Sequence, residues 1–199
     1  YTSLAEKLGV FSSQYVAFNP THLEISYSGK LARHDGTLLR LCFLKGLLQS
    51  RHDYVSYVNA NQQAENAGLH IEEKDDPGCT DYESALNCIL STSGHQFSIG
   101  GVVFSGPHPR ITLIDGFVCE FEAEGTILAT TNQDRPGMVG VLGTCLGKNS
   151  VNIDQFQLSR NTPGGEALSL IRVDDDLLDS VLEEIRNMEG ITSVCKIIL

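Results

Sequence analysis

The sequence predicts an α+β protein in two parts: helices with an antiparallel sheet over residues 1–124, then a smaller strand–helix–strand–strand–helix–strand unit over residues 125–199. Three observations carry this prediction. Apolar residues recur at helical spacing in four places. Short β-rich or alternating runs lie between them. Glycine, proline and aspartate dipeptides punctuate the joints.

The opening segment spaces Leu4, Leu8, Phe11 and Tyr15 for a helix that ends before Pro20. Residues 22–28 alternate as a strand with Leu23, Ile25 and Tyr27 on one face. Residues 37–49 carry a helical stripe of Leu38, Leu41, Leu44, Lys45 and Leu48. Tyr57-Val58-Asn59-Ala60 opens a third helix running toward Gly68, with Asn59 as its cap. The acidic run with Pro77 and Gly78 over residues 74–81 reads as a surface loop. Residues 82–91 and 96–104 are strands around Ser93-Gly94, and residues 110–114 and 117–121 pair across Asp115-Gly116, a strong turn dipeptide. A charged stretch and a glycine place the boundary near residues 122–125.

In the second part, residues 126–131 form a strand bounded by Gly125 and by Pro136-Gly137. Val139, Leu142 and Leu146 mark a helix, with Gly147 placed to stop it as a C′ glycine. Residues 151–160 and 166–174 are strands around the loop Asn161-Thr162-Pro163-Gly164-Gly165. Leu178, Val181, Leu182 and Ile185 mark the second helix, with Asp174, Asp175 and Asp176 as cap and first-turn acids. Residues 192–199 close the sheet, giving a split βαβ unit of the ferredoxin type.

A chain of 199 residues holds one large domain or two small ones, and 41% hydrophobic content suffices for ordinary cores. The longest apolar runs fall far short of a membrane span, so no membrane partner is expected. A formal net charge of −11 with no basic block argues against nucleic acid. The six cysteines, Cys42, Cys79, Cys88, Cys119, Cys145 and Cys195, form no C-x-x-C pair; Cys42, Cys119, Cys145 and Cys195 lie in apolar stretches and read as small buried thiols suited to a reducing compartment. The chain opens at Tyr1 without a methionine, as a fragment would.

No catalytic set emerges. No G-x-G-x-x-G follows a strand, so no dinucleotide site is expected. Gly143 to Lys148 is one residue short of a phosphate loop and has no following Ser or Thr, so it reads as a helix end. The six histidines (His22, His34, His52, His70, His95 and His108) show no i, i+4 pairing and no nearby cysteine, and no metal ligand set is expected. No serine sits in a nucleophile elbow.

The turn Asn132-Gln133-Asp134-Arg135-Pro136-Gly137 does suggest a small-ligand site. Its backbone N–H groups and the positive end of the following helix suit a carboxylate. Asp134 and Asn132 can accept from an ammonium, and Asn152 offers both a donor and an acceptor. Those residue types match a zwitterionic amino acid. The competing reading has Asp134 merely capping the helix and Asn152 merely satisfying a strand entry.

Asn132 to Gly137, Gly140, Gly147 and Val151-Asn152-Ile153 resemble the ACT domain, an amino-acid-binding module whose copies pair side by side. Leu4-Ala5-Glu6-Lys7-Leu8-Gly9, Leu44-Lys45-Gly46-Leu47-Leu48, Tyr57-Val58-Asn59-Ala60, Ala67-Gly68, Arg110-Ile111 and Ile114-Asp115-Gly116 resemble, in order, the C-terminal half of the long-form D-3-phosphoglycerate dehydrogenase family. The resemblance spans essentially the whole chain. It implies an intervening, allosteric substrate-binding (ASB) domain over 1–124 and an ACT domain over 125–199, with the catalytic domains and their NAD lying upstream. It further implies L-serine, or a similar amino acid, bound between paired ACT domains as a feedback inhibitor. Asn132 and Asp134 would contact it from one subunit and Asn152 from the other, at the turn where Arg135, Pro136 and Gly137 leave backbone N–H groups free. Lys45, Asn59 and Arg110 are the candidates for an anion site in the first domain, with Glu122 standing where a relative carries a basic residue. A cytoplasmic or plastid-stroma location goes with the family. Two alternatives are the β portion of an iron–sulfur L-serine dehydratase, whose serine-rich run is missing here, and a free-standing ACT module with no enzyme attached.

Overall fold

The computed structural model describes residues 1–50, 54–78, 81–104, 106 and 108–199; His52 and Cys79 lie outside the described residues. The chain forms two compact units, Tyr1–Gly116 and Phe117–Leu199.

The first unit is built on two helices pressed together, α1 (Thr2–Tyr15) and α2 (Thr37–Leu48). Their backbones meet at two glycines. A Cβ on Gly9 would lie 2.8 Å from the Leu47 nitrogen and closer still to the Phe43 carbonyl oxygen. One on Gly46 would lie 2.8 Å from the Val10 nitrogen and closer still to the Glu6 carbonyl oxygen. This crossing refines the expected stripe on α2. Leu44 and Leu48 are buried as expected, but so are Leu39, Cys42, Phe43, Gly46 and Leu47, while Leu38 is 53% exposed. The helix is apolar around most of its circumference, so periodicity offers several faces, and the one that carries Gly46 lets the partner backbone approach.

The third helix, α3 (Ala60–Asn66), follows Asn59, whose side chain bonds backward and not into the helix. Its Oδ1 accepts from the Ser56 amide at 2.7 Å and its Nδ2 donates to the Tyr54 carbonyl at 2.9 Å.

In the first unit five strands follow the order β2-β1-β3-β4-β5. They are β1 (His22–Gly29), β2 (His70–Asp76), β3 (Ser84–Ser91), β4 (Gln96–Phe104) and β5 (His108–Ile114), and β6 (Phe117–Glu122) opens the second unit. β2 pairs parallel with β1 at the sheet edge, so part of the acidic run expected to be a loop is a strand. Along β1, Leu23, Ile25 and Tyr27 are buried, as the alternation predicts. The two units divide within the turn Asp115-Gly116, where φ is 48° and 81°, the doubly left-handed geometry of a tight hairpin. That division and the boundary expected near residues 122–125 differ by the one strand β6.

In the second unit β7 (Thr126–Gln133), α4 (Met138–Lys148), β8 (Ile153–Arg160), β9 (Glu166–Val173), α5 (Asp179–Arg186) and β10 (Ile191–Ile198) follow the expected order. The sheet runs β10-β7-β9-β8, antiparallel throughout. The two helices pack Leu142, Cys145, Leu146, Val181, Leu182 and Ile185 onto Leu128, Ile171 and Val173 of the sheet.

Three details differ from the expectations. Gly147 lies inside α4 as its penultimate residue, and the helix closes just beyond Lys148. There Ser150 takes the left-handed conformation (φ 59°), with Ser150 N–H to Gly147 O and Val151 N–H to Leu146 O, a complete Schellman closure without glycine. Val139 is 45% exposed because only one side of α4 faces the sheet. The aspartates before α5 do not cap it: Leu178 is the N-cap, Asp176 pairs with Lys196 at 2.9 Å, and Asp174 accepts from Asn152.

Candidate functional site

The site grows from the end of β7. Asn132 there pairs in register with Ala167 on β9, and Ala167 pairs with Arg160 on β8. The chain then leaves the sheet through Asp134, Arg135 and Pro136 and enters α4 at Gly137, which has φ 95°. An L side chain is strained at that angle, and the turn therefore calls for glycine. The result is a pocket of about 360 Å³ lined by the turn itself, by Met138, Val139 and Gly140 of α4, and by Leu158 and Arg160 of β8.

Asp134 is the electrostatic centre of this corner. Its Oδ2 accepts from Arg160 Nη1 at 2.8 Å and from the Gly164 amide at 3.0 Å, while its own amide donates to Gly165 O at 2.8 Å. The Gly164 N–H, and then Arg160, hold its carboxyl below the usual aspartate value, so it is charged at neutral pH. It therefore straps the loop between β8 and β9 to the pocket wall and does not cap α4. The free helical donors at Met138, Val139 and Gly140 have no partner four residues back, since the first α-helical bond of α4 is Val141 N–H to Gly137 O at 2.9 Å.

The other expected residues fall in different places. Asn132 lines the pocket but is 1% exposed, with its amide nitrogen spent on Gln133 O at 2.8 Å. Arg135 turns away: Nη1 bonds Glu189 Oε1 at 2.8 Å, Nη2 bonds the Glu189 carbonyl, and Nε touches Met138 Sδ at 3.4 Å. Asn152 follows the far end of α4, and its Nδ2 bonds Asp174 Oδ2 at 2.5 Å. An 11-residue helix is roughly 16 Å long, so this Asn152 does not share the pocket with Asp134 of its own chain. Met138, Leu158 and Arg160 are the lining residues that the sequence did not single out. Met138 opens α4, whereas Leu158 and Arg160 come from a strand whose end returns beside the turn, and for these the loop of residues 161–165 was the one available signal.

In the first unit, Lys45 Nζ bonds Glu6 Oε1 at 2.5 Å and lies 4.4 Å from the Tyr57 ring centroid, while Tyr57 Oη donates to Glu6 Oε2 at 2.6 Å. The Lys45 charge is thus already matched. Asn59 stands at the same α2–α3 corner, committed to Ser56 and Tyr54, whereas Arg110 sits on β5 in register with Val102. Glu122 in the second unit is held by Arg172 Nη1 at 2.6 Å; Arg172 also takes Glu124 at 3.1 Å and pairs with Asp154. His22 and His70 stand side by side at the start of β1 and β2, with ring centroids 5.7 Å apart. Among the described residues no group of three or more His, Cys, Asp or Glu side chains is placed to hold a metal ion, and no helix is long and apolar enough to cross a membrane.

Over 37% of its length the chain is similar to the ACT domain from the GTP pyrophosphokinase of Chlorobium tepidum, at 21% identity and a TM-score of 0.30, covering 97% of that chain. At the sequence level, D-3-phosphoglycerate dehydrogenases of Synechocystis sp. and Methanocaldococcus jannaschii are each 32% identical, over 96% and 99% of this chain. The Bacillus subtilis enzyme of the same name is 29% identical over 98% of it. The chain spans only 35% to 37% of the length of these relatives. The family model for the D-3-phosphoglycerate dehydrogenase intervening domain matches residues 1–115, which is nearly the whole first unit. With that match covering more than half of its length, the chain belongs to the D-3-phosphoglycerate dehydrogenase intervening-domain family and carries a βαββαβ unit behind it.

Proposed function

We propose that this chain is a regulatory region of an NAD-dependent D-3-phosphoglycerate dehydrogenase and that its second unit binds L-serine, or a similar free amino acid, as a feedback signal. The observation that carries the reading is the pocket at the β7–α4 turn, which sets a charged carboxylate, Asp134, beside the open backbone donors of Gly137 to Gly140. A zwitterion supplies an ammonium for the first and a carboxylate for the second. The relatives' name adds the setting, an enzyme of serine biosynthesis with L-serine as its end product and NAD bound by domains outside this chain. A soluble cytoplasmic location fits the same setting.

Self-association through the second unit, as at least a dimer, belongs to the same reading. Asn152 stands at the far end of α4 with its amide bonded to Asp174, so a contact between Asn152 and a bound amino acid requires one held on a neighbouring copy. In that arrangement an amino acid touching two copies favours the paired state, and the coupling needed for useful inhibition is only about 1–3 kcal/mol.

Thermal melts of the chain against each of the twenty amino acids test the reading. Preferential binding to the folded state raises Tm with ligand concentration, and a hundredfold excess over Kd adds about 2.7 kcal/mol. A rise confined to L-serine or to a few small amino acids is expected. Identical melts with all twenty at millimolar concentration would count against it.

A further inference from the structure

Arg160 is the one arginine lining the pocket whose guanidinium is not turned away to Glu189. It reaches the corner from the last residue of β8, with its side chain 54% exposed. Of its five N–H donors, only one on Nη1 is used by a protein group among the described residues, in the 2.8 Å bond to Asp134 Oδ2. On the facing carboxylate, Oδ2 takes both Arg160 and the Gly164 amide, and Oδ1 takes no protein donor among the described residues. The pocket therefore holds a bonded pair of opposite charges, each with unused hydrogen-bonding capacity. An α-amino acid carries its own carboxylate and ammonium on a single carbon, at a comparable separation.

We infer that Arg160 receives the α-carboxylate of the bound amino acid, together with the first backbone N–H groups of α4, while Asp134 Oδ1 receives the ammonium. This rests on the amino-acid reading of the pocket and deepens it, because it makes Arg160 the residue that separates amino acids from simple amines. A cationic amine would meet Arg160 only as a repelling charge and as a competitor for Asp134. A free carboxylate without an ammonium would leave the Asp134 oxygen unpaired. A planar guanidinium fork suits a carboxylate better than a lysine ammonium does, so the head group is read by geometry as well as by charge.

The two roles open to Arg160 predict opposite signs, and calorimetry separates them. L-Serine and L-serinamide are titrated into the wild-type chain, Arg160→Met and Arg160→Lys, with circular dichroism confirming that each variant is folded. The same acid and amide pair is used for whichever of the twenty amino acids raises Tm most. The expected result is at least tenfold weaker binding of the acid to Arg160→Met, a smaller loss for Arg160→Lys, and amide binding that is unchanged or tighter in both. Acid binding that is unchanged or tighter in Arg160→Met would overturn the assignment, since it would make Arg160 only a competitor for Asp134. Equal losses for acid and amide would also overturn it. A wild-type chain that binds none of the twenty amino acids overturns the amino-acid reading itself, and this inference falls with it.

Discussion

Replacing Gly46 by alanine should destabilise the first unit, although alanine is the better helix former by about 1 kcal/mol. The added Cβ would sit 2.8 Å from the Val10 nitrogen and closer to the Glu6 carbonyl oxygen, both backbone atoms of α1 that cannot rotate aside. The helices must move apart, and overpacking of this kind costs about 1–3 kcal/mol or more. The steric cost outweighs the propensity gain, leaving a net loss of up to about 2 kcal/mol, or up to roughly 10 °C in Tm for a unit of this size. Gly143 in α4 provides the control, since nothing lies within 4 Å of its would-be Cβ. There the same substitution should stabilise by up to about 1 kcal/mol. Urea titrations followed by circular dichroism at 222 nm give both midpoints. If Gly46→Ala proved as stable as the wild type, the close backbone crossing would be wrong.

Asp134→Asn should abolish the amino-acid-dependent rise in Tm while the chain stays folded, as heat-denaturation scans with and without L-serine would show. Because the folded Asp134 pKa lies below its unfolded value of about 3.9, its contribution is present above that value and is lost as pH falls through the folded pKa. The stability gap between wild type and Asp134→Asn should therefore be constant from pH 8 to 5 and close below about pH 4. Arg172→Met leaves Glu122, Glu124 and Asp154 facing one another without their shared cation. These acids are partly solvated, so the loss should be about 1–2 kcal/mol, with faster proteolytic cleavage at residues 122–125 as the readout. Burial pushes the thiols of Cys88 and Cys119 up, the latter to about 12. At pH 8 a thiol reagent should leave both unlabelled in the native chain and label both in urea, as read by peptide mass spectrometry.

Most of the architecture was legible because it is written in period. The alternation of Leu23, Ile25 and Tyr27 put β1 in place, and Asp115-Gly116 placed the turn after β5. The strand β2 escaped because His70–Asp76 is an edge strand, acidic and mostly exposed, held by backbone pairing to β1 and not by an apolar face. On α2 the burial of Leu44 and Leu48 was legible, but the Gly46 face escaped because its constraint is the Gly9–Gly46 approach, which involves two helices far apart in sequence. At the site, the turn residues were visible as a contiguous motif. Arg160 was not, because it joins Asp134 across 26 residues through the return of a hairpin. The state of each charged group was equally hidden: Lys45 spends its charge on Glu6, and Arg135 spends its charge on Glu189.

The central claim, that a free amino acid is captured at the β7–α4 turn, is tested most directly by following backbone amide resonances during titration with L-serine. The account predicts saturable shifts at Met138, Val139, Gly140 and Gly164, with residues of the first unit unmoved. Shifts confined to the first unit, or none anywhere at millimolar L-serine, would contradict it.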